Sequence, residues 1–429
     1  MSTAQTAAAP VTQALSLPRS VAVFAAFALA YFLSALVRAV TATLAPVFSV
    51  ELGLGAGQLG LLAGVYFLGF AAMQLPLGWA LDRWGPRRVL LAFLALAMVG
   101  CVAFAAAQGL AQLLAARLLI GMGVSACLMA PLTCYRRIFS VAAQQRANSW
   151  MLMTGSLGMV ASTMPVQWLL PSIGWRGLFV AVAVLLALAA ANIWRAVPRD
   201  PVVQGASAPV LAAGYRVVFA HPAFIRMAPL AVVVYGGLLA LQTLWIGPWL
   251  TQVAGQTPVQ ASQGLLLVNL AMLLTFLAWG ALMPRLTRNG WAGERLIAST
   301  WPLGALCLLA IVWLGPQAGA WHWAAFCVAT SVVSLSQPAL GQAFARELAG
   351  RALSAFNLLI FAGVFALQSG IGLGIDGLRA LGFGSPDAHR LAIAGYAVAY
   401  IAALLWLNLA RRLHGVAEAS PAAMTGQDR

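Results

Sequence analysis

The sequence of 429 residues contains no lysine, and only 8% of its residues are charged. A soluble domain carries about 25% charged residues, so this chain has too few to cover a water-facing surface of its size. The Walker A phosphate loop requires a lysine before Ser or Thr, so that loop is also excluded. An ATP-driven pump would therefore need its nucleotide site on a separate subunit.

Cysteine and histidine show no pattern typical of a metal site, a disulfide framework or a nucleophilic active site. The five cysteines all lie within or at the ends of apolar runs, where we expect buried small hydrophobes. The four histidines are scattered near helix ends. We therefore expect no cofactor, no bound metal and no enzymatic activity.

Hydrophobic residues make up 62% of the chain and gather in long runs. About twelve of these runs reach the ~20 residues that a helix needs to cross a hydrocarbon core. The predicted spans are 20–45, 57–80, 88–108, 110–134, 147–170, 176–197, 226–251, 260–283, 296–315, 321–345, 352–376 and 389–412. The sequence therefore predicts an all-α polytopic membrane protein with twelve transmembrane helices.

The longest polar-leaning gap runs from Arg195 to Arg226 and divides the chain almost in the middle. Two sets of six helices suggest an internal duplication and two pseudo-symmetric bundles. We predict bundles over 19–197 and 226–412, joined by a cytoplasmic linker over 198–225. Residues 1–18 and 413–429 are predicted cytoplasmic tails, the first of them disordered.

The arginines support this topology. If both termini are cytoplasmic, nineteen of the 24 lie in inner segments and three, Arg176, Arg379 and Arg390, in outer ones. Cytoplasmic loops of membrane proteins carry this excess of positive charge. It accounts for the net charge of +15 better than nucleic-acid binding does. We expect a multi-pass protein of the inner (cytoplasmic) membrane whose partners are the lipid bilayer and a small-molecule substrate.

The loop after the second predicted span reads Gly78-Trp-Ala-Leu-Asp82-Arg83-Trp-Gly85-Pro-Arg87-Arg88. It resembles the signature between helices 2 and 3 of the major facilitator superfamily (MFS). Arg117-Leu-Leu-Ile-Gly121-Met-Gly123 is similar to the family's second motif. The resemblance covers nearly the whole chain and is closest to the sugar-phosphate-permease and organic-anion branch. It implies a monomeric transporter that works by alternating access.

In this family the loop is a latch that stabilises one of two access states. The resemblance implies that role here for Gly78, Asp82, Arg83, Gly85, Arg87 and Arg88. Gly78 would let another helix approach closely, and Asp82 could accept hydrogen bonds from a helix N-terminus or pair with an arginine. The alternative is a solvated loop that only sets topology. Pro284 replaces the acid in the second-half copy of this loop.

Arg38 and Arg117 lie inside predicted spans, whereas no acidic residue lies well inside any of them. An ionisable residue within the membrane is a functional candidate by default. A cationic cavity favours an anionic substrate, since the planar arginine fork suits carboxylate or phosphate. Alternatively, Arg38 snorkels outward and Arg117 bonds helix carbonyls. The family's phosphate-ester antiporters use an arginine in helix 7, which is absent here.

Four neutral side chains are further candidates for substrate contact: Tyr31, Tyr66, Gln242 and Asn357. Buried amides bond neighbouring helices at least as often as substrates. We also expect Gly247-Pro248 to kink helix 7 near its outer end, and Trp249 to belong to the interfacial aromatic belt.

The predicted function is secondary transport of a small solute, specifically an organic anion or similar metabolite. The alternative is a multidrug or siderophore exporter of the same superfamily. Helix 5 lacks the Gly-Pro pair typical of the drug-antiporter branch, which weighs against that alternative.

Overall fold

A computed structural model describes residues 17–198, 210–289 and 293–418, and throughout these ranges the regular secondary structure is helical. Most of the predicted N-terminal tail, residues 199–209 of the predicted linker and residues 419–429 lie outside the described part. The described portion of the linker is not extended chain, because residues 210–220 and 222–225 are helical.

The helices between residues 17 and 198 are α1 (Leu17–Glu51), α2 (Ala56–Ala72), α3 (Gln74–Trp84), α4 (Pro86–Ala106), α5 (Leu110–Val124), α6 (Ala126–Ile138), α7 (Val141–Ala161) and α8 (Met164–Ala196). We call this part of the chain the first half.

The second half begins at residue 210. Its α-helices are α9 (Val210–Ala220), α10 (Pro222–Pro229), α11 (Gly236–Ala240), α12 (Ile246–Pro248), α13 (Pro258–Arg288), α14 (Gly293–Leu314), α15 (Ala320–Thr330), α16 (Ser336–Gln342), α17 (Arg346–Ala380) and α18 (Ser385–Glu418). π-Helical turns at Leu230–Tyr235, Leu241–Trp245 and Trp249–Val253 join α10 to α12 into one span, and 3₁₀ turns lie at Gly315–Gln317 and Ser331–Leu335.

Within the described residues, ten helices are long and apolar enough to cross a membrane. The number of candidate spans rises to eleven if α2 and α3, which are bent by 43° relative to each other, are taken as one span. The difference from the twelve predicted spans arises at α7 and α8, predicted as 147–170 and 176–197. α8 runs on through Gly174, whose φ of 62° interrupts the helical backbone. Glycine adopts this conformation without the steric cost other residues meet.

The turn between α3 and α4 is a single residue. Gly85 has φ 78° and ends α3, and Pro86 opens α4 at a position where its missing N–H leaves no hydrogen bond unmade. This tight turn fixes the positions of Asp82 and Arg87 on either side of it.

The bundle has two ends, which we name by a residue at each. Arg176 forms a 2.8 Å ion pair with Glu51 at the Glu51 side. The turn after α3 marks the Arg87 side. Because α1 ends at Glu51 and α2 begins five residues later, α2 starts at the Glu51 side and α3 ends at the Arg87 side.

The helix through Gly247 and Pro248 is continuous. Both residues belong to α12, and Pro248 has helical dihedral angles of −54° and −38°. The backbone widens into π-helical turns on either side, which accommodates the missing N–H of proline within one continuous span. Gly247 is needed for packing, because a Cβ there would lie 2.5 Å from the Ala42 carbonyl oxygen.

Trp249 does not belong to an interfacial belt, so that prediction was wrong. It is 1% exposed, and its indole N–H donates to the Ala318 carbonyl at 2.9 Å. Its ring meets Trp323 edge-on, with 5.4 Å between ring centroids. Burial inside the bundle is possible because the indole N–H has found a protein acceptor in place of interfacial water.

Candidate substrate site

Arg38 lies half-buried on α1 at the boundary between the two halves. Its guanidinium carbon is 5.5 Å from the centroid of the Phe70 ring, and the side chains of Tyr31 and Tyr66 lie next to it. Its Nε is buried and has no hydrogen-bond partner. Among the described residues no carboxylate pairs with Arg38, so its positive charge meets only neutral groups, namely aromatic rings, phenol hydroxyls and the Cys127 thiol.

Close helix packing positions the two tyrosines. Tyr31 lies two helical turns before Arg38 on the same face of α1. Gly155 of α7 makes room for it, since a Cβ there would lie 2.5 Å from the ring. Gly121 of α5 makes room for the backbone of Tyr66, because a Cβ at Gly121 would overlap that backbone. Both predicted tyrosines thus lie beside Arg38, at 7% and 1% exposure.

The second half contributes Tyr235, at the end of a π-helical turn, which lies next to Tyr31 and Arg38. Phe361 of α17 packs against Phe70, with 4.4 Å between the two ring centroids. Neither residue was predicted from the sequence to belong to the site. Tyr235 could have been found, because an isolated tyrosine in an apolar run of helix 7 is a polar group inside the membrane.

Arg117 is placed differently from Arg38. It is 1% exposed, and its guanidinium donates to the Val37 carbonyl of α1 at 3.2 Å. Its guanidinium carbon lies 5.6 Å from the ring centroids of Tyr66 and Phe104 and 5.8 Å from that of Phe179. In this conformation Arg117 ties α5 to α1, as the alternative reading of this residue expects. Tyr66 lies between the two arginines.

The amides of the second half bond to each other. Gln242 donates to Asn269 at 2.9 Å, and Gln337 donates to Asn357 at 2.6 Å. Gln242 and Asn357 are 5% and 7% exposed. Each therefore joins two helices in this conformation, and neither lies in the Arg38 cluster of Tyr31, Tyr66, Phe70, Tyr235 and Phe361 that surrounds the guanidinium.

The predicted latch residues lie at the Arg87 side. Asp82, Arg83 and Arg88 are exposed, and Asp82 has no hydrogen-bond or ion-pair partner among the described residues. Arg87 is 8% exposed; it donates to the Trp194 carbonyl and stacks on the Trp194 ring, 4.8 Å from its centroid. A Cβ on Gly78 would meet no atom within 4 Å, so the close helix approach predicted at this glycine is absent in this conformation.

Sequence relatives are few and partial. A probable L-galactonate transporter of Escherichia coli (strain K12) is 31% identical over 141 residues, covering 32% of this chain and 30% of the relative. The probable sulfoacetate transporter SauU of Cupriavidus necator is 27% identical over 154 residues, covering 36% of each chain. The chain spans about a third of the length of the curated relatives it matches.

Similar folds cover almost the whole chain. A bacterial homologue of the human lysosomal transporter Spinster, in an inward-facing and unoccupied conformation, superimposes with a TM-score of 0.73 at 17% identity, covering 93% of this chain and 98% of that one. The POT family transporter PepTSo gives 0.75 at 13% identity, covering 94% and 99%. A family model described as Major Facilitator Superfamily matches residues 27–367, more than half of the sequence. The chain is a multi-pass membrane protein, and it belongs to the Major Facilitator Superfamily.

Proposed function

We propose that this transporter carries small organic anions across the inner membrane by alternating access. The observation that carries the proposal is Arg38, a half-buried guanidinium at the junction of the halves, surrounded by tyrosines and lacking an acidic partner. Such a charge is costly in a membrane unless a counter-charge arrives. A carboxylate or sulfonate would supply the counter-charge and accept hydrogen bonds from the guanidinium and the phenols.

The relatives support the anionic class. The compounds in their names, L-galactonate and sulfoacetate, are both organic anions. Neither likeness extends over enough of the chain to carry one substrate to this protein. We therefore propose the class of substrate and leave its carbon skeleton to experiment.

We further propose twelve crossings in two bundles of six, with both termini cytoplasmic. The break at Gly174 supports the count, because α8 has 33 residues and a continuous helix of that length would span roughly 50 Å. Residues 164–173 then continue α7 as the fifth crossing, and 175–196 form the sixth. The nineteen-to-three distribution of arginines supports the orientation, with the Arg87 side cytoplasmic.

Alternating access is supported by where the halves touch. Ser262 donates to Gln167 at 3.3 Å, and a Cβ on Gly60 of α2 would overlap the Gln368 carbonyl of α17. Both contacts lie toward the Glu51 side, whereas Asp82 is unpaired and the space beside Gly78 is open at the Arg87 side. We infer a state closed at the Glu51 side, in which the latch is released.

A ligand screen by thermal shift on the purified protein tests the anion proposal. Sugar acids, short carboxylates and sulfonates are compared with cationic drugs at equal concentration. We expect stabilisation by one or more anions, and loss of that stabilisation in Arg38→Gln. Stabilisation by cationic drugs alone would contradict the proposal and favour the drug-exporter alternative.

A further inference from the structure

Asp376, near the end of α17, reaches across the boundary between the halves. Its carboxylate accepts hydrogen bonds from the backbone N–H groups of Ala56 at 3.2 Å and Gly57 at 2.8 Å. These amides open the first turn of α2, whose N–H groups have no acceptor within the helix. A carboxylate in this position also meets the positive end of the helix dipole.

Glycines on α2 bring the two helices together along this contact. A Cβ on Gly57 would lie 2.7 Å from a carboxylate oxygen of Asp376, and a Cβ on Gly64 would lie 3.0 Å from the Phe365 ring. Gly57 and Gly64 are two helical turns apart, so they lie on one face of α2. The close approach therefore places Asp376 at the N-terminus of α2 and closes the bundle at the Glu51 side.

The other acids at this side, among those the structure describes, do not link the halves. Glu51 pairs with Arg176 inside the first half at 2.8 Å. Asp387 pairs with Arg390 within α18 at 3.5 Å, and its side chain is 62% exposed. Asp376 is thus distinguished by its partner, since it joins one half to the backbone of the other.

The same pair of helices carries an acid at its opposite end. Asp82 lies near the end of α3, at the Arg87 side, where α17 begins at Arg346. The α2–α3 pair and α17 run antiparallel, so each contributes an acid to the end where the other has its N-terminus. Asp376 is engaged in this conformation, whereas Asp82 has no partner within the described part of the chain.

We propose that Asp376 is a positioning residue of the transport cycle that holds the Glu51 side closed by capping α2. Its release accompanies engagement of Asp82 at the Arg87 side, so the two acids act in alternation. The inference rests on the alternating access proposed above, but it does not depend on which solute is carried.

Removing the charge of Asp376 shifts the balance between the two access states. Asp376→Asn keeps the size of the side chain but weakens the hydrogen bonds to the α2 amides and the interaction with the dipole. We expect about a tenfold rise in the population open at the Glu51 side. Gly57→Ala has the same effect without any change of charge, because the new methyl displaces the carboxylate. Asp82→Ala shifts the population the opposite way, and the double variant Asp82→Ala/Asp376→Asn returns part of the way toward wild type.

The population can be measured with two spin labels in liposomes. Val50→Cys and Leu381→Cys lie at the Glu51 side in opposite halves and are 87% and 78% exposed, so labels there do not disturb packing. The five native cysteines are first replaced. Pulsed electron paramagnetic resonance then gives the distance distribution between the labels, and we expect a larger long-distance fraction in Asp376→Asn and Gly57→Ala. The turnover rate with any transported solute changes in both variants, whereas substrate affinity stays near that of wild type.

Matched controls are Asp387→Asn, an acid at the same side that does not link the halves, and Gly377→Ala, where a Cβ meets no atom within 4 Å. Both keep the wild-type distribution if the proposal holds. A wild-type distribution in both Asp376→Asn and Gly57→Ala would overturn it, as would an equal shift in Asp387→Asn. Because the labels report without substrate, this outcome is separate from a failed ligand screen.

Discussion

At the scale of single residues, the two intramembrane arginines have the same charge but different surroundings. Each has a buried Nε with no acceptor, but Arg38 keeps part of its surface open. Arg117 is closed in by rings and bonded to a carbonyl. A guanidinium with an unmet donor and an accessible surface is suited to binding a ligand. A guanidinium packed on all sides is suited to holding helices together.

Arg38→Gln is expected to weaken anion binding by roughly ten- to a hundredfold, because a hydrogen bond to a charged group contributes about 1.5–3 kcal/mol. Arg38→Lys keeps the charge but loses the planar fork, so we expect an intermediate affinity. Binding is measured by titration of the stabilising anion from the thermal-shift screen. The control is Arg176→Gln, whose ion pair is about half exposed. Equal affinities in Arg38→Gln and wild type would remove Arg38 from the site.

Arg117→Met is expected to lower stability more than it lowers affinity. The change leaves the Val37 carbonyl without its donor and removes the stacking on three rings, a loss of about 1–3 kcal/mol. The midpoint of thermal aggregation, read by size-exclusion chromatography in detergent, measures the effect. A stable variant with no anion binding would instead assign Arg117 to the substrate.

At the scale of helices, glycine decides where helices cross. Hydropathy alone predicted most spans, because any apolar run near twenty residues long gives the signal. It did not predict the 43° bend between α2 and α3 or the π-helical turns around Pro248. Those features depend on how backbone hydrogen bonds rearrange around proline and around a packed neighbour. Hydropathy does not detect them, because the side chains are equally apolar in a straight helix and in a bent or π-helical one.

Gly121→Ala is expected to reduce the yield of folded protein. The added methyl would overlap the backbone of Tyr66, which is rigid helix and not a side chain able to rotate away. The matched control is Gly280→Ala in α13, where a Cβ meets nothing within 4 Å. The ratio of monomeric to aggregated protein after extraction measures the difference, and equal ratios would show that α2 and α5 can separate without cost.

The site was only partly predictable from sequence. An arginine in an apolar run stands out, and so Arg38 and its neighbouring tyrosines were selected as candidates. Phe361 was not selected, because its place beside Phe70 depends on how the second half docks onto the first. Tyr235 was not selected either, although a lone tyrosine in an apolar run is visible in the sequence. Gln242 and Asn357 were selected as single polar residues, although each has a partner amide in another helix that sequence separation conceals.

At the scale of the whole molecule, the two halves are closed against each other on one side and carry an unpaired acid on the other. We predict that Asp82→Ala lowers the transport rate while leaving membrane insertion intact, because it removes the group that would stabilise the opposite state. A helix-capping carboxylate contributes about 0.3–2 kcal/mol, enough to alter the balance of states severalfold without unfolding the bundle. Uptake in cells, normalised to protein in the membrane fraction, gives the measurement. Normal transport by this variant would rule the latch out.

The guanidinium of Arg38 also determines which step of the cycle senses the membrane potential. Because no acid pairs with Arg38 or Arg117 among the described residues, the empty carrier holds two positive charges within the membrane, and a bound monovalent anion neutralises the one at Arg38. Moving one elementary charge through 100 mV involves about 2.3 kcal/mol. An inside-negative potential therefore acts more strongly on the return of the empty carrier than on the loaded step, so we expect one-for-one exchange to depend less on the potential than net uptake does.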